Sequence, residues 1–325
     1  MMSTSTDLSN CYPDAWLQTW DWNNLCVSYV TPGVSNNRPT IVLIHGFGAC
    51  KEHWRHNLKA LDEHFDVVAI DLVGFGHSSK PPSLLDGELP NPGESNVRYG
   101  IDFWANQITA FIKAHIQQPV ALVGNSIGGV VALAAASQLE HEGTSASGVV
   151  LIDCAQRAID EKRVSEQPFG RRLGRPLLKT LVRKRWLTNA LFRSLAQPGV
   201  IRAVLRQAYP SGSNIDDMLV NILHRPTKDA GASESFRGFI NLFNDRLAPE
   251  LLSELTTTVS MIWGSKDPWE PIEEAERWQR FDCVDTFHTV MGVGHCPHDE
   301  APDQVNPPLI EMLNSMLINA GGNAS

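Results

Sequence analysis

Apolar residues in this chain are grouped rather than spread. Short runs rich in β-branched residues lie at Leu25–Val30, Thr40–Ile44, Val67–Ile70, Val120–Val123, Gly148–Ile152, Val259–Trp263 and Thr286–Met291. From Thr40 onward these runs are almost continuously apolar, as expected of parallel strands covered on both faces. Between them, helical spacing predicts helices at Trp54–His64, Phe103–Ile116, Ile127–His141, Ile272–Gln279 and Asp303–Leu317. Strand and helix alternate, which predicts an α/β fold with a mostly parallel central sheet flanked by helices. Two stretches interrupt the alternation. Lys80–Arg98 is acidic and rich in Pro and Gly, reading as a long loop. From Gln156 to about Asp245 the chain is helical in pattern, basic and rich in Leu and Arg. That segment reads as an inserted helical cap, residues 156–248, dividing a core of 1–155 and 249–325.

The chain has 325 residues and a formal net charge of −9, which argues against a nucleic-acid binder. The charge is uneven: Arg157–Arg206 holds thirteen basic and three acidic residues, +10, leaving −19 on the rest. A basic insertion therefore sits on an acidic core. No apolar run approaches the roughly 18–20 residues that span a bilayer. The first basic residue is Arg38, so the N-terminus shows neither an export signal nor a transit peptide. Six cysteines without a C-x-x-C pair are expected to stay reduced. The expected location is cytoplasmic, with peripheral contact to a membrane, such as a thylakoid, left open.

The chemistry centres on Val123-Gly124-Asn125-Ser126-Ile127-Gly128-Gly129, a G-x-S-x-G at a predicted strand-to-helix junction. Flanking glycines allow the tight turn that lifts a serine hydroxyl to the head of a sheet, making Ser126 the candidate nucleophile. A serine needs a base, and His295 follows the last predicted strand in the glycine-containing segment Val293-Gly294-His295-Cys296-Pro297-His298. His298 is the nearest competitor, expected at a helix entry where it caps or pairs locally. Asp267, after the penultimate strand, supplies a carboxylate for the imidazole and gives the order Ser, Asp, His. Asp153, closing the strand after the nucleophile helix, remains an alternative acid. Asp71 is expected to pin its own loop. The strand Thr40–Ile44 leads into His45-Gly46-Phe47-Gly48, which points to the backbone N–H groups of Phe47 and Ile127 as oxyanion donors, with the His45 side chain as a brace. His53-x-x-His56 lacks further ligands and reads as a solvated helix face, as do His64, His115 and His141. No phosphate-cradling glycine motif follows a strand, since Gly74-Phe75-Gly76-His77 lacks the third glycine.

With these pieces placed, the chain resembles the α/β-hydrolases and, within them, the chlorophyll dephytylases. The likeness rests on Leu43-Ile44-His45-Gly46-Phe47-Gly48-Ala49, His53-Trp54-Arg55, Asp71-Leu72-Val73-Gly74-Phe75-Gly76 and Gly124-Asn125-Ser126-Ile127-Gly128-Gly129. It continues in Asn214-Ile215-Asp216-Asp217-Met218-Leu219-Val220, Asp267-Pro268-Trp269 and Gly294-His295-Cys296-Pro297-His298-Asp299-Glu300-Ala301-Pro302. The resemblance implies a triad of Ser126, Asp267 and His295 hydrolysing the phytyl ester of chlorophyll or pheophytin. It implies no cofactor or metal, any magnesium belonging to the pigment. The plant relatives carry targeting extensions, and none is expected for this chain. Rival readings are an esterase, lipase or C–C bond hydrolase of the same fold, or a pigment- or isoprenoid-binding protein without activity.

A substrate resident in a membrane asks for a surface that meets one. A helix starting at Pro176 places Arg172, Arg175, Lys179 and Arg183 on one side and Leu177, Leu178, Leu181 and Val182 on the other. The apolar side either packs on the core or dips into an anionic bilayer.

Overall fold

The computed structural model describes residues 11–322 apart from 36, 37, 91, 92, 94 and 168, with the side chains of 169–173 and 318–322 outside the description. Its strands are β1 (Leu17–Trp22), β2 (Leu25–Val30), β3 (Thr40–Ile44), β4 (Asp66–Ile70), β5 (Val120–Asn125), β6 (Gly148–Ile152), β7 (Val259–Gly264) and β8 (Val284–Val290). They form one eight-stranded sheet in the order β1-β2-β4-β3-β5-β6-β7-β8. The β1–β2 and β2–β4 pairs are antiparallel and every pair from β4 to β8 is parallel.

Alternation along each strand divides the core. Val42 and Ile44 of β3 face the side covered by α2 (Ile101–His115) and α3 (Ile127–His141). Ile41 and Leu43 face the other side, where Leu58 and Leu61 come from the short helix Leu58–Asp62 and Val305, Leu309 and Leu313 from the long helix Pro302–Gly322. Both faces are therefore dry, which is why the strands lack a polar register. Antiparallel β1 is an addition to the predicted elements. The predicted helix at Trp54–His64 is instead a 3-10 turn, Lys51–Trp54, followed by Leu58–Asp62.

The segment between β6 and β7 holds α4 (Phe169–Val182), α5 (Arg185–Leu195), α6 (Pro198–Ala208), α7 (Asp217–His224), α8 (Ala232–Ile240) and α9 (Ala248–Leu252). Helix α4 carries Pro176 in its interior instead of beginning there. Its orientation settles which side faces inward. Arg175 and Lys179 lie over the ring of Phe243, each 5.4 Å from its centroid, and Lys179 pairs with Glu161. Leu177, Leu178 and Leu181 point outward, 65%, 52% and 38% exposed, and Trp186 at the start of α5 is 70% exposed. Of the two readings of the apolar side, packing of the leucines on the core is thus overturned: cation–π contacts hold Arg175 and Lys179 down instead. Arg183 donates to the Asp86 carbonyl at 2.6 Å, and the Arg172 side chain lies outside the described residues.

Candidate active site

The C-terminal ends of the parallel strands bring the candidate residues to one edge of the sheet. Ser126 follows β5 at φ 55° and ψ −125°, a strained conformation for a residue with a side chain. The turn is possible because the glycines packed around it, Gly124, Gly128 and Gly46, lack one. A Cβ on Gly128 would run into the Ile44 and His45 carbonyls, and one on Gly46 would stand 3.0 Å from the Ser126 Cβ. These close approaches press the loop after β3 against the serine. Neither the Phe47 nor the Ile127 N–H donates to an acceptor among the described residues, leaving both amides open beside Ser126.

His295 follows β8, and its Nδ1 lies 2.7 Å from Oδ2 of Asp267, which follows β7. Oδ1 of Asp267 accepts the N–H groups of Trp269 at 2.8 Å and Glu270 at 3.1 Å. Burial pushes the Asp267 carboxyl upward, but the His295 hydrogen bond and charge outweigh it and hold the group below its ordinary value. The Trp269 ring stands edge-on to the imidazole with centroids 4.9 Å apart. From the insertion, the Ala208 carbonyl at the end of α6 accepts the His295 N–H at 2.9 Å. Asn125 ties the corner together: its Nδ2 donates to the Ile152 and His295 carbonyls, each at 3.1 Å.

The other candidates separate cleanly. His298 is fully buried, with neither ring nitrogen hydrogen-bonded, and packs on Trp54 and His53 at 4.3 and 4.8 Å between centroids. It neither caps nor pairs, contrary to expectation, and burial drives its pKa far below the ordinary value. His45 braces its loop: Nδ1 faces the Gly46 carbonyl at 2.8 Å while Nε2 accepts the Leu72 N–H at 3.1 Å. Asp71 pins the residues around it by accepting the Lys51 and His77 N–H groups at 2.7 and 2.8 Å. His53 is not on a solvated face; it is buried, with Nε2 2.7 Å from the Tyr209 hydroxyl. His115 likewise packs against Trp20 and Phe111.

Several contributors carry no signal in the sequence. Asn125 occupies the variable position of the G-x-S-x-G motif. Lys51 is fully buried, its Nζ 2.8 Å from Asp71, 3.0 Å from Glu52 and 2.8 Å from His77 Nδ1. Glu52, Asp71 and His77 form a set of metal-ligand type, but the Lys51 ammonium already stands among them as the cation. Tyr209 and Arg55 both bond Asp299, at 2.9 and 2.7 Å, fastening the insertion to the segment after His295.

Phe47, next to the Gly46 that approaches Ser126, is the centre of an aromatic cluster. The Phe47 ring stacks on Phe239 of α8 with centroids 3.8 Å apart and a 13° interplanar angle. Phe75 and Phe236 flank it at 5.9 and 6.2 Å, and Phe192 of α5 extends the cluster beyond Phe236.

Comparison with known proteins agrees with this architecture. Residues 41–307 match the model of the alpha/beta hydrolase family. The chloroplastic pheophytinase of Arabidopsis thaliana is 27% identical over 312 residues, covering 88% of this chain, which spans 64% of that relative's length. The 2-hydroxy-6-oxo-6-(2'-aminophenyl)hexa-2,4-dienoic acid hydrolase of Metapseudomonas resinovorans is 24% identical, covering 79% of this chain and 77% of its own. The solved structure of an epoxide hydrolase superposes with a TM-score of 0.72 at 19% identity, over 92% of this chain and 99% of that one. An eight-stranded sheet with a serine elbow after its fifth strand, together with a family match over most of the length, has one reading: this chain belongs to the alpha/beta hydrolase family.

Proposed function

We propose that this hydrolase cleaves carboxylic esters with Ser126 as nucleophile, His295 as base and Asp267 as the carboxylate that steadies the imidazolium. Ser126 attacks the ester carbonyl while His295 takes its proton, and the Phe47 and Ile127 amides receive the oxyanion. Collapse expels the alcohol with a proton from His295, and water repeats the sequence on the acyl-enzyme. The substrate class is a phytyl ester of a chlorophyll-type pigment, chlorophyll or its magnesium-free form. The observation that carries this choice is the aromatic cluster of Phe47, Phe239, Phe236 and Phe192, whose exposed member Phe47 stands in the loop that approaches Ser126, an apolar lining suited to a branched hydrocarbon chain or a flat macrocycle. The similarity to pheophytinase supports the same choice. Residues 156–248 act as a cap that encloses the hydrocarbon tail.

Because such an ester resides in lipid, the cap also makes peripheral contact with an anionic membrane through the outward leucines of α4 and Trp186, with the exposed Lys184 and Arg193 of the α5 segment supplying positive charge. No helix among the described residues is long and apolar enough to cross a membrane.

The test is incubation with chlorophyll a and with pheophytin a, followed by chromatography for the dephytylated pigment and free phytol. Wild type is expected to release both products and Ser126→Ala neither. Turnover of short synthetic esters with no release of phytol would overturn the pigment assignment and favour another esterase. Undiminished ester cleavage by Ser126→Ala would overturn the triad.

A further inference from the structure

Asp153 closes β6, where the sequence offers it as a rival acid for the imidazole, and the structure puts it to a different use. Its backbone turns at φ 42°, an unusual value for an aspartate, and its N–H donates to the Ile262 carbonyl of β7 at 3.1 Å. The turn directs the side chain into the protein, fully buried behind Asp267. There both carboxyl oxygens face the Gly264 N–H, at 3.0 and 3.2 Å, and the group is hydrogen-bonded to the Asp267 carboxyl. No lysine or arginine pairs with Asp153 among the described residues. The charged and titratable groups around it are Asp267 and Glu270 from the segment after β7, with the thiols of Cys154 and Cys296.

Two carboxyl groups in direct contact, shielded from water and without a cation between them, cannot both be ionised. One proton must lie between them, and the partners decide where. Asp267 faces His295 Nδ1 and the N–H groups of Trp269 and Glu270, and all three favour its carboxylate. Asp153 has the Gly264 N–H alone and lies deeper. The proton therefore belongs to Asp153, in line with the strong upward push that burial and the Asp267 charge give this group.

We propose that Asp153 is a protonated positioning residue whose carboxylic O–H donates to Asp267 and fixes the rotation of that carboxylate, so that Oδ2 stays on His295. With this bond Asp267 accepts from four donors, and its carboxylate has no free direction in which to turn. The inference rests on the triad proposed above for its kinetic meaning, but the proton itself can be observed without any turnover.

The experiment compares wild type with Asp153→Asn and Asp153→Val. Infrared difference spectra at neutral pH between wild type and Asp153→Asn are expected to show the carbonyl stretch of a protonated carboxylic acid, lost in the variant. In ester hydrolysis, Asp153→Val lowers kcat at least tenfold with KM within about threefold. Asp153→Asn keeps an N–H donor and recovers most of that loss. The alkaline limb of the kcat profile that reports Asp153 ionisation disappears in Asp153→Asn, which a merely structural side chain would not cause. Absence of the acid band overturns the proposal, and so does equal loss of kcat in the two variants. If Asp153→Val does not fold, the band and the alkaline limb decide. Failure of the triad itself would appear separately, as ester cleavage that survives Ser126→Ala while the acid band is present.

Discussion

Glu270 is the third carboxyl of this corner, and its position makes a measurable claim on stability. Burial is the main cause that pushes it up to about 8, with the charges of Asp267 and Glu274 adding to the push and the Gln156 N–H, 2.8 Å from Oε2, opposing it. A carboxyl that titrates near 4.5 when unfolded and near 8 when folded binds more protons in the folded state between those values. Folding stability therefore falls as pH rises through that window, by about 1.4 kcal/mol per pH unit and about 5 kcal/mol in full. Glu270→Gln keeps an oxygen for the Gln156 N–H and removes the ionisation. Its stability advantage over wild type should grow steadily from pH 5.5 and level off above pH 8, at 3 kcal/mol or more after allowance for relaxation around the charge. An unfolding entropy of about 2.1 cal/mol/K per residue gives roughly 0.7 kcal/mol/K for 325 residues, so 3 kcal/mol corresponds to about 4 °C in Tm. Thermal scans of both proteins from pH 5.5 to 9 check this. A Tm difference that does not change with pH, or a variant that loses stability at pH 9, would refute the reasoning.

Four further outcomes follow from particular contacts. Lys51→Met leaves the buried Asp71 and Glu52 carboxylates without their cation and should cost about 3–5 kcal/mol in urea unfolding at pH 7, whereas equal urea midpoints would show that the network does not need the ammonium. Glu52 is itself held far below its ordinary value, burial being outweighed by His77 and Lys51; its stabilisation is therefore present above the usual carboxylate range and drains away as pH falls below it. Asn125→Ala removes the donor that joins Ile152 to the His295 carbonyl and should lower kcat about tenfold with a stability loss of about 1–3 kcal/mol, read from single-turnover rates and denaturant midpoints. The double variant Leu177→Asp, Leu181→Asp should lose at least tenfold of its binding to anionic vesicles in sedimentation while cleaving soluble esters normally; unchanged sedimentation would remove α4 from the membrane contact.

The parts of this molecule legible in its sequence are those dictated by local pattern. Continuous apolar runs announced the strands from β3 to β7, and the glycines around Ser126 announced the elbow, because both follow from what neighbouring residues require. Strand β1 escaped that logic: Leu17–Trp22 lies at the sheet edge, largely exposed, so no apolar run marks it. Its signal is the turn, where Asn23 and Asn24 at φ 54° and 61° form the two-residue connection that a tight hairpin demands. Amphipathic spacing in α4 correctly separated leucines from basic residues but carries no information about which side meets the protein. Phe243, more than sixty residues away, decides that by receiving Arg175 and Lys179 on its ring. Buried Lys51 and His53 were equally invisible, since their partners Asp71 and Tyr209 come from distant strands and helices.

The acid corner shows why residue type and position stop short of mechanism. Asp153, Asp267 and Glu270 all follow strands at the same sheet edge, and each could serve an imidazole by chemistry alone. What divides the roles is the set of donors each one receives. Asp267 takes a histidine ring nitrogen and two backbone amides, which together favour its charge over the cost of burial. Asp153 and Glu270 take single backbone amides and lie beside that charge, so burial and repulsion both work against ionising them. In the proposed mechanism, concentrating negative charge on the one carboxyl that touches His295 is useful to a base that becomes a cation in the transition state, because nearby charges that do not touch the imidazole would compete for its orientation. Three carboxyls sharing one charge is thus the arrangement proposed for this corner, and the 2.7 Å contact between Nδ1 and Oδ2 is the geometric fact that places the charge on Asp267.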